Sequence, residues 1–443
     1  MRAEEIGQLA LATARKEGAS DAVVAISDVQ ETMVRFSNNQ ITTTNSLADI
    51  STFIFVMDGA RRAGINVSEV DRRSIERATK DIVAEVKTSP MGEVYAPIPE
   101  GPFKYSPDLI DQAQVPLTGK QLVDWVEEGV NAALEEGAKR VAGSLIARNT
   151  KYTLQTSGGA FGSITKPSLE LSLRAFHSDL ASGHGVSVSG NVKAFDPSSA
   201  GRQAGRLAKL AKDPVNCDAD EYEAVLGPLV FADLVSQLGT MASAFYVDAG
   251  MSFLTDGIGR QVCSDKLDLY DDPTLPGTYG SLPFDMEGLP TKRKAIVEKG
   301  VLMTYLHNST TAKRHGVDST ANAGLISPSA FNLVIGEGDG KLEEMIAGVE
   351  KGIYVTNDWY LRYQNWRTGD FSAIPRDAMF LIEDGELSHS IKEMRISDNV
   401  LRILAGIKQL TREREWVKWW EVDTPTLTPS ALISRIRFTR STM

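Results

Sequence analysis

The chain has 443 residues, 42% of them hydrophobic, and carries 58 Asp and Glu against 47 Lys and Arg, a formal net charge of −11. That acidity argues against general nucleic-acid binding, which needs clustered cations to neutralise phosphates, and no apolar run reaches the roughly 18 residues of a membrane span. Two distant cysteines, Cys217 and Cys263, exclude a disulfide framework or a Cys-rich zinc site and point to a reduced, cytoplasmic compartment.

In chain order, the first element is a helix. MRAEEIGQLALATARKEG puts Ile6, Leu9, Ala10 and Ala14 on one face, Gly18 stops it, and its early acids set it apart from a secretory signal. DAVVAISD, TMVRFSNNQITTT and DISTFIFVMDG read as strands, with Asn38-Asn39 at a hairpin tip because Asn tolerates positive φ. SEVDRRSIERATKDIVAEVK follows as a capped amphipathic helix and completes a small α+β unit over residues 1–88. Residues 89–118 are Pro-rich and irregular, which predicts an extended linker lying on the surface.

A second α+β unit spans 119–215. It opens with the helix GKQLVDWVEEGVNAALEEG, continues through strands near SLIARNTKYTLQTS, SLELSLRAF and GVSVSGN, and closes with the helix SAGRQAGRLAKLAKD. The order of the first unit is repeated, as a distant internal duplication would repeat it. Residues 216–443 read as a larger domain of mostly antiparallel sheet with a few helices, so the fold class is α+β. Its helices are LVFADLVSQLGTMASAF, then KLEEMIAGVEKG, where Leu342, Met345, Ile346 and Val349 share a face and Gly352 ends the helix. The last is SDNVLRILAGIKQL, with Ser397 as N-cap.

Common catalytic signatures are missing. No His precedes Glu, no G-x-S-x-G elbow occurs, and neither TGKQ nor DGKL completes a phosphate loop. SGHGVSVSG sets His184 near Ser187 and Ser189, a spacing that fits a turn and a polar strand face better than a nucleophile. FDMEGLPT places Asp285 and Glu287 two apart, on one side of an extended segment, where they either meet a cation or shape a turn by accepting backbone N–H groups. REREWVKWWEVD gathers Trp416, Trp419 and Trp420 among Arg and Lys. Interleaved acids oppose base stacking there, and a buried edge or a subunit interface is the better reading.

Together these stretches resemble a known family. PFDMEGLPTKRKAIVEKGVLMTYLHNSTTAKRHGVDSTANAG resembles the TldD/PmbA pattern of an Asp-x-Glu-Gly turn, a Thr (here Thr291), a strand hairpin and a helix ending in Gly. IYVTNDW and TGDFSAIPRDAMFLIEDGELSHSIKEMRISDNVLRIL resemble its later strands, and MVRFSNNQITTTNS its first-domain hairpin. Two kinds of chain occur in this family. TldD-type chains hold zinc through His-Glu-x-x-x-His on a helix and a Cys nearer the C-terminus, whereas TldE/PmbA-type chains lack that set and pair with TldD as noncatalytic partners. Aligning Gly239 with the family Gly puts Val235 and Thr240 at the histidine positions and Ser236 at the glutamate, and no Cys follows Cys263.

The resemblance therefore implies a TldE/PmbA-type subunit with no metal of its own and zinc in a TldD-type partner. It implies a heterodimer, or a homodimer with itself, acting on small unfolded peptides, with no nucleic acid and no membrane. Peptide-facing groups are expected near Thr356 and at Asp370, Phe371 and Ser372. STANAG around Ala321 departs from the family's Thr-Gly-Asn or Thr-Gly-His element. An alternative is a homo-oligomeric peptide-binding or assembly protein without peptidase activity; a third is a hydrolase built on Asp285 and Glu287.

Overall fold

The computed structural model describes residues 1–110 and 112–440. Its N-terminal half is organised by one six-stranded antiparallel sheet. The strands are β1 (Asp21–Ser37), β2 (Gln40–Asp58), β3 (Arg61–Val67), β4 (Arg140–Thr156), β5 (Phe161–Ser178) and β6 (Ala181–Ser189). Their spatial order is β3-β2-β1-β4-β5-β6. The 1–88 and 119–215 segments thus contribute three strands each and meet along the β1–β4 pair. Each half is a meander bracketed by two helices, α1 (Ala3–Lys16) and α2 (Arg72–Val86) in one, α4 (Lys120–Glu135) and α5 (Pro197–Leu210) in the other; between them Pro107–Ile110 form a single turn, α3. At the β1–β2 tip Asn38 and Asn39 have φ of 51° and 67°, the mirror-image turn that suits the twist of a hairpin.

The helices cover one face of this sheet. Val24 and Ile26 of β1 pack with α1 and α2, while Val34 and Phe36, on the same side of the strand, pack with α4 and α5. Helix α5 lies against β6 so closely that a Cβ on Gly185 would stand 2.1 Å from the Ala200 carbonyl oxygen and one on Gly183 2.3 Å from that of Ala204, which accounts for the first two glycines of SGHGVSVSG.

Apart from the α3 turn, the described residues among 89–118 are irregular, but they do not float on the surface. Ala96, Ile98, Leu109 and Val115 are buried, Tyr95 donates to Asp21 at 2.5 Å, and Val115 exchanges two hydrogen bonds with the Asn149 amide. The prolines keep the strap out of the ladder by withholding N–H donors, while the apolar residues between them give it a buried side.

The C-terminal half is mostly antiparallel with a few parallel pairs. Its hub is the 19-residue strand Val422–Arg440, which pairs with four strands: Leu333–Ile335, Ile407–Trp419, Glu221–Leu226 and Met394–Asn399. Helix α6 (Pro228–Met241) packs on it, with eleven of its fourteen residues buried. Two helix ends differ from expectation. The Leu342–Ala347 helix stops at Gly348 rather than Gly352, and the last helix, Val400–Ala405, is capped by Asn399, whose side chain accepts from Arg402 N–H. Ser397 is instead a strand residue bonded to Thr439 at 2.8 Å.

Phe284 joins the two halves. It is fully buried against Tyr105 and Tyr152, and it occupies the space a side chain at Gly162 of β5 would need. Phe284→Ala should lower unfolding free energy by about 3–5 kcal/mol in urea denaturation, the usual cost of emptying a packed aromatic site.

Candidate functional site

Helix α6 carries the positions that matter most. Its apolar run leaves no solvated stripe, and Val235 is fully buried in the main C-terminal core. Ser236 turns its hydroxyl back to the Asp233 carbonyl at 2.8 Å, and Thr240, exposed at the next turn, donates to the Ser236 carbonyl at 3.0 Å. A zinc ion does not fit these residues: Val has no donor atom and both hydroxyls are spent on backbone. Cys263 is buried, its thiol pushed up to about 12 by burial, and it faces the Gly300 carbonyl at 3.7 Å.

Asp285 and Glu287 are both buried, and both accept backbone N–H groups. One Asp285 oxygen takes Glu287 N–H and Leu289 N–H at 3.0 Å each, and the other takes Ala323 N–H at 2.9 Å. Glu287 receives the N–H and hydroxyl of Ser309, the first residue of the helix Ser309–His315. Burial raises both carboxyls, Asp285 to about 7 with help from the Glu287 charge, against the opposing pull of these donors. Thr291 donates its hydroxyl to the Leu282 carbonyl. The segment is a polar clamp on three stretches of backbone. Ala321, in the loop it holds, has φ of 55°, the left-handed region that explains a glycine at that place in the family pattern.

The other nominated residues do not converge. Thr356 is buried with its hydroxyl on the Ala378 carbonyl, and Phe371 is core. Asp370 opens the strand Asp370–Pro375 and is held below the usual carboxylate range by Thr368 and Asn399. Trp416 is half-buried in its strand, Trp419 is buried edge-on to His184, and Trp420 is 80% exposed at the hairpin tip.

His184 bonds neither Ser187 nor Ser189. Its Nε2 faces Ser172 at 2.9 Å and its Nδ1 faces the Asn357 amide nitrogen at 3.1 Å, while that amide also donates to Asp377 at 2.9 Å. An amide donor at Nδ1 places the ring proton on Nε2, so the imidazole donates to Ser172 and cannot take its proton. Burial lowers His184 to about 4 and keeps it neutral.

A cavity of about 850 Å3 lies between the open face of the six-stranded sheet and the C-terminal half. Met33, Arg35, Ser144 and Ile146 line it on the sheet side, and Gln237 of α6, Tyr363, Trp419, Glu421 and Asp423 on the other. Behind Gln237, Asp233 holds its amide at 3.2 Å and is raised to about 7, chiefly by burial. Asp358 is raised well above its ordinary value by burial and by the Asp233 and Glu421 charges. No motif in the sequence marks these acids. Their one signal was Asp233 itself, a carboxylate inside an otherwise apolar helix.

The profile of the PmbA/TldA metallopeptidase C-terminal domain matches residues 219–440, half of the chain. The chain belongs to the TldD/PmbA family. A metalloprotease of Methanocaldococcus jannaschii is 31% identical over 209 residues, a match spanning 45% of each chain, so the shared region is about half the length of that relative. A Haemophilus influenzae protein named as a PmbA homologue and metalloprotease is 24% identical over 90% of this chain and 88% of its own. TldE from Thermococcus kodakarensis shares the fold, with a TM-score of 0.83 over 99% of this chain and 100% of that one at 20% identity. In this TldD/PmbA chain no group of three His, Cys, Asp or Glu stands close enough to hold a metal among the described residues. No described helix is long and apolar enough to cross a membrane.

The buried acids give a pH test. An unfolded Asp titrates near 3.9, and Asp233 near 7 binds its proton more tightly when folded. Its contribution to stability is therefore full below about pH 4 and is lost as pH rises through about 7. Asp233→Asn should raise unfolding free energy at pH 8, by an amount that shrinks toward zero at pH 4, as read from urea denaturation at both values.

Proposed function

We propose that this chain is the metal-free subunit of a two-chain TldD/TldE-type zinc metallopeptidase that degrades or processes small unfolded peptides in the cytoplasm. The reading rests on α6, where the family resemblance aligns Val235, Ser236 and Thr240 with a His-Glu-x-x-x-His set, and where Val has no donor atom and both hydroxyls are bonded to backbone carbonyls. Zinc and the general base then come from a TldD-type partner, where two His and a Cys hold the ion and Glu activates its water. The relatives' names as metalloproteases favour a peptidase assembly over an unrelated binding role.

An open strand edge supports association with another chain. β3 pairs with β2 only from Thr52 to Asp58, and residues Gln40–Ile50 of β2 are exposed throughout, with Ile41, Leu47 and Ile50 among them. Such an edge, without Lys, Pro or a covering loop, is a surface a second strand completes. A homodimer through the same edge is the second reading, with peptide binding but no peptidase activity.

The test combines native mass, zinc content and cleavage of an unstructured peptide. The chain alone should carry no zinc and cut nothing; mixed with a His-Glu-x-x-x-His partner it should form a complex that holds zinc and cleaves. Cleavage or stoichiometric zinc in the isolated chain overturns the reading. A stable homodimer that ignores the partner favours the second.

A further inference from the structure

A second, smaller cavity, of about 310 Å3, lies where β4 and β5 meet the segment Tyr279–Met286. Its floor is the open face of the sheet, on which alternate residues of each strand point the same way. The β4–β5 register sets Arg148 opposite Ser168, Thr150 opposite Lys166 and Tyr152 opposite Ile164. One end of the floor is therefore apolar and the other cationic. Tyr279, Leu282 and Met286 form the facing wall, and they, like Tyr152 and Lys166, are partly open to solvent. The backbone bonds of Asp285 and Glu287 fix that wall in place.

The charges around this cavity pair off with one exception. Arg148 donates to Glu31 at 2.7 Å, and Glu170 takes the Tyr279 hydroxyl at 3.3 Å and faces Lys418 at 3.6 Å. Asp285 spends both oxygens on backbone N–H groups. Lys166 has no carboxylate partner and no hydrogen-bond acceptor among the described residues, and the charge that acts on it, Arg148, repels it. Burial and that repulsion push its amine down to about 8.

We propose that this cavity binds a small monocarboxylate with a flat apolar body, its carboxylate on the Lys166 ammonium and its body between Tyr152, Tyr279, Leu282 and Met286. The surplus on the floor is one positive charge, which one carboxylate neutralises. A phosphate dianion would bring more charge into an apolar-walled space than Lys166 balances. A pocket at the small end of the usual size range, mostly apolar with a single oriented charge, suits a ligand of this kind. The bond from Lys166 to such a carboxylate is charge-assisted and stronger than a neutral one. The proposal concerns this chain alone and does not depend on a peptidase partner.

Calorimetric titration of the full chain with 3-phenylpropionate tests it, with 3-phenylpropionamide, equal in shape but uncharged, and inorganic phosphate as controls. The acid should bind saturably, and both controls should bind more weakly by about tenfold or more. Lys166→Met, which keeps an apolar stem and removes the charge, should weaken binding of the acid by about tenfold or more, as when one partner of a desolvated charge pair is lost. Its thermal midpoint without ligand should equal or exceed that of the parent chain, since a partly desolvated ammonium without a partner does not stabilise the fold; a lysine serving only the fold would give a lower one. Met286→Trp, which fills the space from the facing wall and leaves Lys166 intact, should abolish binding. N-acetylphenylalanine separates two sources of the carboxylate: binding tighter than that of 3-phenylpropionate assigns it to the end of a peptide, and weaker binding to a free acid. No saturable heat, equal affinity for acid and amide, tighter binding of phosphate, or affinity unchanged in Lys166→Met overturns the assignment.

Discussion

A helix that is apolar around its whole circumference has to be enclosed, and much of the C-terminal half is arranged to enclose α6. Phe231, Leu234, Val235 and Leu238 have no exposure, and the long C-terminal strand, its partner strands and the loop bearing Leu302 and Leu306 close around them. Each such side chain is worth roughly 1.5–3 kcal/mol when fully buried. In a catalytic chain of this family the same helix would have to expose two imidazoles and a carboxylate. Here Val235 belongs to the core, and Gln237 and Thr240 mark the only side that meets open space.

Polar groups inside the molecule fall into two kinds, and the contrast carries the functional argument. Around Asp285, Glu287, Asp271 and Asn308 the acceptors meet backbone or side-chain donors, and the result is a rigid joint between loops. The joint's cost in desolvation is offset because its charges are bonded. Around Asp233, Asp358 and Glu421 the acceptors meet few donors. Buried carboxylates without partners tend to keep a proton or await a cation, and groups of that sort cluster at working sites. Thus the acidic pair most conspicuous in the sequence is architectural, and the chemically unfinished acids lie elsewhere.

Much of the fold was legible because its signals are local. Periodicity located α1, α2, α4, α5 and α6, Asn38-Asn39 marked the hairpin, and the repeated order of helices and strands anticipated two halves, though not their fusion into one sheet, since strand pairing across a hundred residues leaves no local trace. The Pro-rich strap misled for a related reason: its burial comes from tertiary contacts of four scattered apolar residues. Ser397 and Asn399 are both good caps, and only the length of the preceding strand decides between them. The buried acids were illegible, because Asp233, Asp358 and Glu421 come from three distant segments. Their proximity is a property of the fold, and the composition around each is ordinary.

The central claim, that α6 is an enclosed core helix whose middle opens only where Gln237 meets the cavity and Thr240 meets solvent, is tested most directly by native-state amide hydrogen exchange resolved along residues 228–241. The account predicts protection approaching that of global unfolding from Phe231 to Leu238, with no faster-exchanging break at Val235 and Ser236. Exchange at those two amides as fast as at the exposed Trp420 hairpin tip would contradict it, and would mean that the helix opens where a metal-bearing relative presents its ligands.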